Sequence, residues 1–311
     1  MGNVVVIGSF MTDLMSRSPH LPKPGETVMG GPFKLGPGGK GANQAVACSR
    51  LGANVWFVGC IGTDYFGDVA MESFVSNGVH TDFLRRSPES HTGIALIGVS
   101  DKTRENLIIV APGVNSLVSK EQVDSALKTI KNIDIVLVQY EIPEEIILHI
   151  AETLDPKITF IVNPAPGRKA DDKILKRADY IIPNESELEI LSGATINNVK
   201  DAEEQALKLL KKGAKNVIVT LGNKGALLVT KEKIRYFDIF PAEVVDTTGA
   251  GDAFCGALSF ALSNGKPIEN AIKIANAVSG LSVTKIGTAP AMPYYKELER
   301  YLSEQNILSL L

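Results

Sequence analysis

The stretch Val244–Leu262, VVDTTGAGDAFCGALSFAL, passes from β-branched residues through Thr, Gly, Ala and Gly into a helical apolar period, with one carboxylate, Asp252, at the junction. Phe254, Ala257, Leu258, Ala261 and Leu262 recur at the spacing of one face of an α-helix. The stretch reads as strand, tight turn and helix start. Gly249, Ala250 and Gly251 have no bulk to keep a ligand from the first-turn amides, whose free N–H groups and dipole attract an anion. A carboxylate here has two readings. Asp252 complements the helix dipole, or it takes a proton from a hydroxyl attacking a phosphoryl group that the amides hold. The preceding DTTGAG favours the second.

Upstream, apolar β-branched runs recur at Val4–Ile7, Val55–Gly59, Ile135–Gln139, Thr159–Val162, Tyr180–Ile182 and Val217–Thr220. Helical patterns lie between them at Ala42–Leu51, Tyr65–Asn77, Glu121–Lys131, Glu144–Leu154 and Ala202–Lys212. Continuously apolar strands alternating with helices indicate an α/β fold, a mainly parallel sheet sandwiched between helices. Ligands of such sheets bind beyond the carboxyl ends of the strands. Two stretches break the rhythm. Met15–Leu35 holds four prolines and the extended piece ETVMGGPFKL, and Thr92–Val110 reads as strands GIALIGVS and ENLIIV joined by the turn DKTR. These form a small β-sheet projecting from the core. The expected division is residues 1–14, 37–90 and 112–311 for the core, and 15–36 and 91–111 for the small sheet. A further hairpin, Ala226–Thr230 and Ile234–Phe237, turns at KEK.

At 311 residues, one large domain or a domain with an insert is expected. A net charge of −3 with interspersed signs gives no electrostatic footprint for nucleic acid or an acidic membrane, and no apolar run reaches the length of a membrane span. Cys48, Cys60 and Cys255 stand apart without C-x-x-C spacing, so they read as buried small hydrophobes in a reducing compartment. With no signal-like N-terminus, a cytoplasmic location is expected. His20, His80, His91 and His149 show no ligand spacing, and no Ser/His/Asp nucleophile set is visible.

Four other motifs carry chemistry. GPGGKGAN, Gly36–Asn43, formally contains G-x-G-x-x-G, with Asp64 near the place of an acidic partner, but it follows a Pro-rich segment instead of a core strand. It is not a P-loop either, since the Gly spacing before Lys40 is wrong and Gly41 stands where Ser or Thr belongs. A turn before a helix with a solvated Lys40 remains, or a close backbone approach to a polar ligand. In PNESELEILSG, Asn184 and Glu187 have the spacing of a capping box and Gly193 that of a helix stop. The same two side chains can face phosphates and a hydrated Mg²⁺. TLGNKG, with Thr220, Gly222 and Gly225, is a glycine-adapted turn between strands. Asp13 and Glu141 each follow an apolar strand, where a carboxylate faces the crevice and accepts from sugar hydroxyls, or caps a helix.

With GGKGAN, NESE, TLGNKG and DTTGAGD in this order, the chain resembles the ribokinase family of sugar and nucleoside kinases, nearly end to end from VVVIGSFMTD to KIGTAPAMP. The resemblance implies a ribokinase-like α/β core with a β-sheet lid. It implies transfer of the ATP γ-phosphoryl to the 5-hydroxyl of D-ribose, with Mg²⁺ as cofactor and K⁺ as activator. By similarity Asp252 is the base, and Gly249, Ala250 and Gly251 lead with it into the anion hole. The sugar is expected against Met11, Thr12, Asp13, Gly39, Lys40, Gly41, Asn43, Glu141 and Asp252. Nucleotide contacts fall on Asn184, Thr220, Leu221, Gly222, Asn223, Lys224, Gly225, Gly251, Asp252 and Asn276, and Glu187 acts on Mg²⁺ through water. The K⁺ site falls on Asp246, Thr248, Ser282, Lys285, Gly287 and Ala291, largely through carbonyls. A homodimer through the lid edges is a further expectation. Two departures matter. Many relatives have Asn where Met11 stands, and Ser where Ala291 stands. A kinase of another sugar or nucleoside, a catalytically silent sugar sensor and, last, a dehydrogenase stay as alternatives.

Overall fold

The computed structural model describes residues 1–103 and 105–311; Arg104, the last residue of the DKTR turn, lies outside the described residues. The first strands are β1 (Asn3–Ile7), β2 (Met11–Ser18), β3 (Phe33–Gly38), β4 (Asn54–Gly62), β5 (His80–Ser87), β6 (Gly93–Ser100) and β7 (Asn106–Ala111). They are followed by β8 (Ile135–Gln139), β9 (Thr159–Asn163), β10 (Tyr180–Ile181), β11 (Asn216–Thr220), β12 (Ala226–Thr230) and β13 (Ile234–Phe237). The helices are α1 (Lys40–Arg50), α2 (Tyr65–Ser76), α3 (Lys120–Thr129), α4 (Glu144–Thr153) and α5 (Asp172–Arg177). The rest are α6 (Glu185–Ser192), α7 (Val199–Lys211), α8 (Ala250–Ser263), α9 (Ile268–Ser282) and α10 (Tyr295–Glu304).

Val4 to Ile7 are buried on both faces, as a central parallel strand requires. The large sheet runs β13-β12-β11-β10-β9-β8-β1-β4-β5, parallel except for the terminal hairpin of β12 and β13. Val4 and Val6 pack with α1, α2, α8, α9 and α10 on one face, while Val5 and Ile7 pack with α3 to α7 on the other. From β1 the chain builds outward through β4 to β5, then returns to the opposite side at β8. The sheet therefore has its topological switch point between β1 and β8, where the crevice at the carboxyl ends opens. The small sheet runs β3-β2-β6-β7, antiparallel except for the parallel pair β2–β6.

Three expectations change. The segment leading into the DTTGAG turn, residues 238–245, is not a strand, and its Val244 and Val245 are 62% and 56% exposed. It is held instead by the amides of Val245 and Asp246 on the carbonyl of Val283. β2 begins at Met11, so Met11, Thr12 and Asp13, expected in the core after its first apolar strand, stand on the small sheet. Of ETVMGGPFKL, only the part from Phe33 is strand. β5 went unforeseen because its half-exposed edge position needs no continuous apolar run. Cys48, Cys60 and Cys255 are free and buried, as read from the sequence, and burial pushes their thiols up.

Asp64 is the N-cap of α2. Its Oδ1 accepts from the Gly67 amide at 2.9 Å and the Thr92 hydroxyl at 2.7 Å, and its Oδ2 from the Thr92 amide at 2.8 Å. This carboxylate ties the start of α2 to the point where the chain enters β6, which removes it as a ribose-binding acid of a dinucleotide fold. Asp64→Ala is expected to lower stability by about 2 kcal/mol, since it deletes a cap and orphans the Thr92 amide. An unchanged urea midpoint would contradict this.

Candidate active site

The switch point fixes the first group. Ser9 follows β1 and Glu141 follows β8, and the Ser9 hydroxyl donates to Glu141 Oε2 across the gap between the two strands. The same oxygen accepts the Lys40 amide at 2.8 Å. Glu141 thus binds the turn that opens α1 to the end of β8. Burial pushes its carboxyl up, and the Lys40 charge with these hydrogen bonds opposes that rise. Close approach is possible because Gly39 has φ +86° and a Cβ there would lie 2.7 Å from the Met11 amide nitrogen, while one on Gly41 would lie 2.7 Å from that of Ser9.

Asp13 faces the crevice from β2, in register with Gly36 of β3. A Cβ on Gly38 would come within 2.4 Å of both its carboxylate oxygens, so that glycine leaves the carboxyl its room. Burial pushes the Asp13 pKa up to about 6; the Thr288 hydroxyl, 3.2 Å away, opposes the rise, and the charges of Glu141 and Asp252 add to it. Side chains alternate along a strand, so Met11 shares the face of Asp13 and Thr12 takes the opposite one. Met11 is 3% exposed, and the Thr12 hydroxyl is buried with no partner among the described residues.

Asp252 sits in the first turn of α8, buried. Its Oδ2 accepts from Asn43 Nδ2 and its Oδ1 from Gln44 Nε2, both at 2.9 Å. The Asn43 Oδ1 is buried without a donor among the described residues. Gly249, at φ +78°, forms the N-cap, and the Ser279 hydroxyl pins the carbonyl of Ala250 at 3.0 Å. The Ala250 amide is spent on the carbonyl of Thr247 at 3.2 Å. The amides of Gly251 and Asp252 have no acceptor among the described residues, so these two carry the anion-binding capacity of the turn. The Lys40 ammonium is held charged above its ordinary range, chiefly by Asp252, against the cost of burial.

A cavity of about 150 Å³ joins Lys40, Asp252 and Gly249–Gly251 to Asn163, Asn184, Glu187 and Thr220. The expected cap exists: the Asn184 side chain accepts the Glu187 amide at 2.8 Å, and Glu187 returns an oxygen to the Asn184 amide at 2.9 Å. Glu187 also lines the cavity, with its carboxyl pushed up by burial. One residue serves both readings. Gly222–Lys224 form an exposed one-turn 3-10 helix between β11 and β12, with Asn223 at its apex. Gly225 adopts φ +91° against the carbonyl of Phe237. The Leu221 side chain is buried in the core on the α3–α7 face and offers the crevice only its backbone. Lys224 lies 3.8 Å from Glu185. The Asn276 amide bonds the carbonyls of Phe237 and Asp238, holding the segment after β13 in place. A larger cavity, about 250 Å³ between α9, α10 and residues 241–243, has no comparable convergence of carboxylate, ammonium and free amides.

Asp246 staples two loops, accepting from the Thr248 amide and hydroxyl at 3.0 and 2.6 Å and from the Gly287 amide at 3.0 Å. Burial raises its carboxyl, but these bonds outweigh it and hold it low. The Ser282 hydroxyl donates to the Ser279 carbonyl and the Lys285 ammonium to Glu297, so Lys285 offers a cation only its carbonyl, while Ser282 keeps the lone pairs of its hydroxyl oxygen as well. Ala291 is buried and has no hydroxyl to add. Arg50 braces the loop from α1, donating to the carbonyls of Ala289 at 3.0 Å and Met292 at 2.6 Å. A carboxylate with backbone carbonyls, and neither sulfur nor imidazole, is an oxygen donor set suited to a hard cation. Glu187, which lines the cavity, is the carboxylate that would face a hydrated Mg²⁺ carried on phosphates.

Residues 1–294 match the pfkB family carbohydrate kinase. The chain belongs to the pfkB family of carbohydrate kinases. It is 38% identical to the ribokinase of Bacillus subtilis over 304 residues, covering 97% of this chain and 100% of that one. It is 36% identical to a deoxyribokinase of Salmonella typhi over 303 residues, covering 97% and 99%. The structure of Arabidopsis thaliana ribokinase complexed with ribose and ATP superimposes with a TM-score of 0.89 at 33% identity, covering 97% of this chain and 98% of that one. The kinase is thus a phosphotransferase with the α/β core and separate small sheet of ribokinases. Ser9, Gly38, Gln44, Asn163 and Thr288 were missed in the sequence. Ser9 and Asn163 carried a signal, each standing just beyond a run read as a core strand, and Gly38 lay within the GPGGKGAN turn.

A carboxyl whose pKa rises from 3.8 to about 6 on folding weakens the fold as pH climbs, because the unfolded chain ionises first. Asp13→Asn is expected to stabilise the free protein above pH 6 by on the order of 2 kcal/mol, a gain that shrinks toward zero by about pH 4. Thermal melts across that range would show a pH-independent difference if Asp13 were not responsible.

Proposed function

We propose that the kinase transfers the γ-phosphoryl group of ATP to the 5-hydroxyl of D-ribose. The observation that carries the reading is one cavity holding a buried carboxylate, an ammonium and two free helix-start amides, with an orphaned amide oxygen, that of Asn43, beside the carboxylate. Asp252 takes the proton of the attacking hydroxyl. The Gly251 and Asp252 amides and Lys40 offset the charge that builds on the transferring group. Asn43, Asp13 and Glu141 hold the sugar, and Gly39 and Gly41 let the backbone approach it. ATP lies along Asn184 and the Thr220–Gly225 turn, with Asn276 bracing that wall. Mg²⁺, when bound through water to Glu187, neutralises phosphate charge. K⁺, in the loops that Asp246 joins, steadies the turn into α8. The small sheet acts as a lid that excludes water. Its edge strand β7 leaves Leu107 to Val110 about half exposed, which supports pairing of two lids in a homodimer. The intact base and amides disfavour a silent sensor.

One observation favours a second acceptor, 2-deoxy-D-ribose. Met11 lines the acceptor face of β2 beside Asp13, and a thioether cannot satisfy a sugar hydroxyl that it desolvates. A relative of similar identity is named a deoxyribokinase. An unpaired hydroxyl against Met11 weakens discrimination in favour of ribose by about tenfold or more.

ADP release with ribose, 2-deoxyribose, fructose and adenosine, in K⁺ and in Na⁺, tests both readings. Asp252→Asn is expected to cut turnover by about 10²–10⁴-fold while acceptor binding persists; near-normal turnover would remove Asp252 as base. Met11→Asn should move the kcat/KM ratio toward ribose by about tenfold. An unmoved ratio would remove Met11 from the acceptor pocket.

A further inference from the structure

We infer that Gln44 is a positioning residue for the reaction, aiming the Asp252 carboxylate through a chain of side-chain amides; the inference rests on the proposed role of Asp252 as base. Gln44 is wholly buried on α1. Its Nε2 donates to Asp252 Oδ1 and to Asn163 Oδ1, both at 2.9 Å, and its Oε1 accepts from Gln139 Nε2 at 2.7 Å. Asn163 in turn donates Nδ2 to the carbonyl of Ile182 at 2.9 Å. The direction of every bond is therefore fixed from the far end. A backbone carbonyl takes the Asn163 nitrogen, so Asn163 must present oxygen to Gln44, and Gln44 must present nitrogen to both Asn163 and Asp252. Gln139 completes the set by holding the Gln44 oxygen away from the carboxylate.

The surroundings are shaped for this chain. Gly8 and Gly41 flank Gln139, where a Cβ would lie 2.3 Å and 3.0 Å from its Oε1. Gly256 lets α8 close on α1, since a Cβ there would lie 2.7 Å from the carbonyl oxygen of Gln44. An apolar side chain would fill the same volume without the burial cost of three amides. What the amides add is direction. Gln44 donates to Asp252 and cannot take its proton, so one carboxylate oxygen is fixed while the other stays with Asn43 at the acceptor. Lys40, Asp13, Glu141, Glu187 and Cys255 are the other charged or titratable groups around Asp252. Without Gln44 the carboxylate is free to turn toward the Lys40 ammonium.

The test uses the full chain with the acceptor that gives the highest wild-type ADP release. Gln44→Met should lower kcat by about ten- to a hundredfold, with acceptor KM little changed, because a charge-assisted bond that orients the base is removed. The acidic limb of its kcat–pH profile should move to higher pH, and that of Gln44→Glu further, since each favours the protonated carboxyl. Gln139→Met, which leaves Asp252 untouched, should shift both in the same direction by less. Unmoved kcat and pH limbs in Gln44→Met would overturn the inference, whatever happens to its melting temperature. If that variant does not fold, unmoved limbs in Gln139→Met would overturn it equally. Failure of wild-type protein to release ADP with every acceptor would instead sink the underlying reading of Asp252, and this inference with it.

Discussion

A carboxylate buried at the first turn of α8 has to be held by donors, and two successive residues of α1, Asn43 and Gln44, supply them. The rest of the site depends on that grip. It needs α1 and α8 in close contact, hence Gly256, and it needs α1 to begin at the switch point of the sheet, hence Gly39 and Gly41. The start of α1 is in turn fixed by Glu141, which bonds the Lys40 amide from the end of the neighbouring strand. One short network thus joins β1, β8, α1 and α8, the elements that border the crevice.

The electrostatics of this arrangement are costly for the free protein. Asp13, Glu141 and Glu187 are all raised by burial, and each feels the charge of Asp252. Lys40 is the cation that their mutual repulsion favours. Such crowding of buried titratable groups marks a functional site. Several glycines of the site sit where a Cβ would strike backbone or carboxylate, and so make this close packing possible.

Much of this was legible in the sequence. The continuous apolar runs gave the parallel sheet, because strands covered on both faces need no polar alternation. The turn at Gly249–Asp252 was legible because small residues at a helix start have few other uses. The missing strand before it and the unforeseen β5 have separate reasons: β-branched residues form strands only where a neighbour offers a ladder, and an edge strand needs little apolar signal. Thr12 and Leu221 fell within the right motifs yet point their side chains away from the crevice.

By itself the sequence determined the layer architecture and the chemistry available at each loop, because periodicity and residue type are local properties. Tertiary structure alone decided that Ser9 would meet Glu141, that Thr288 would reach Asp13, and that Gln44 would join Asn163 and Gln139 on Asp252. Those contacts join residues from 95 to 275 positions apart. No local pattern encodes them; they exist because the sheet reverses its build at β1 and brings distant strand ends to one edge.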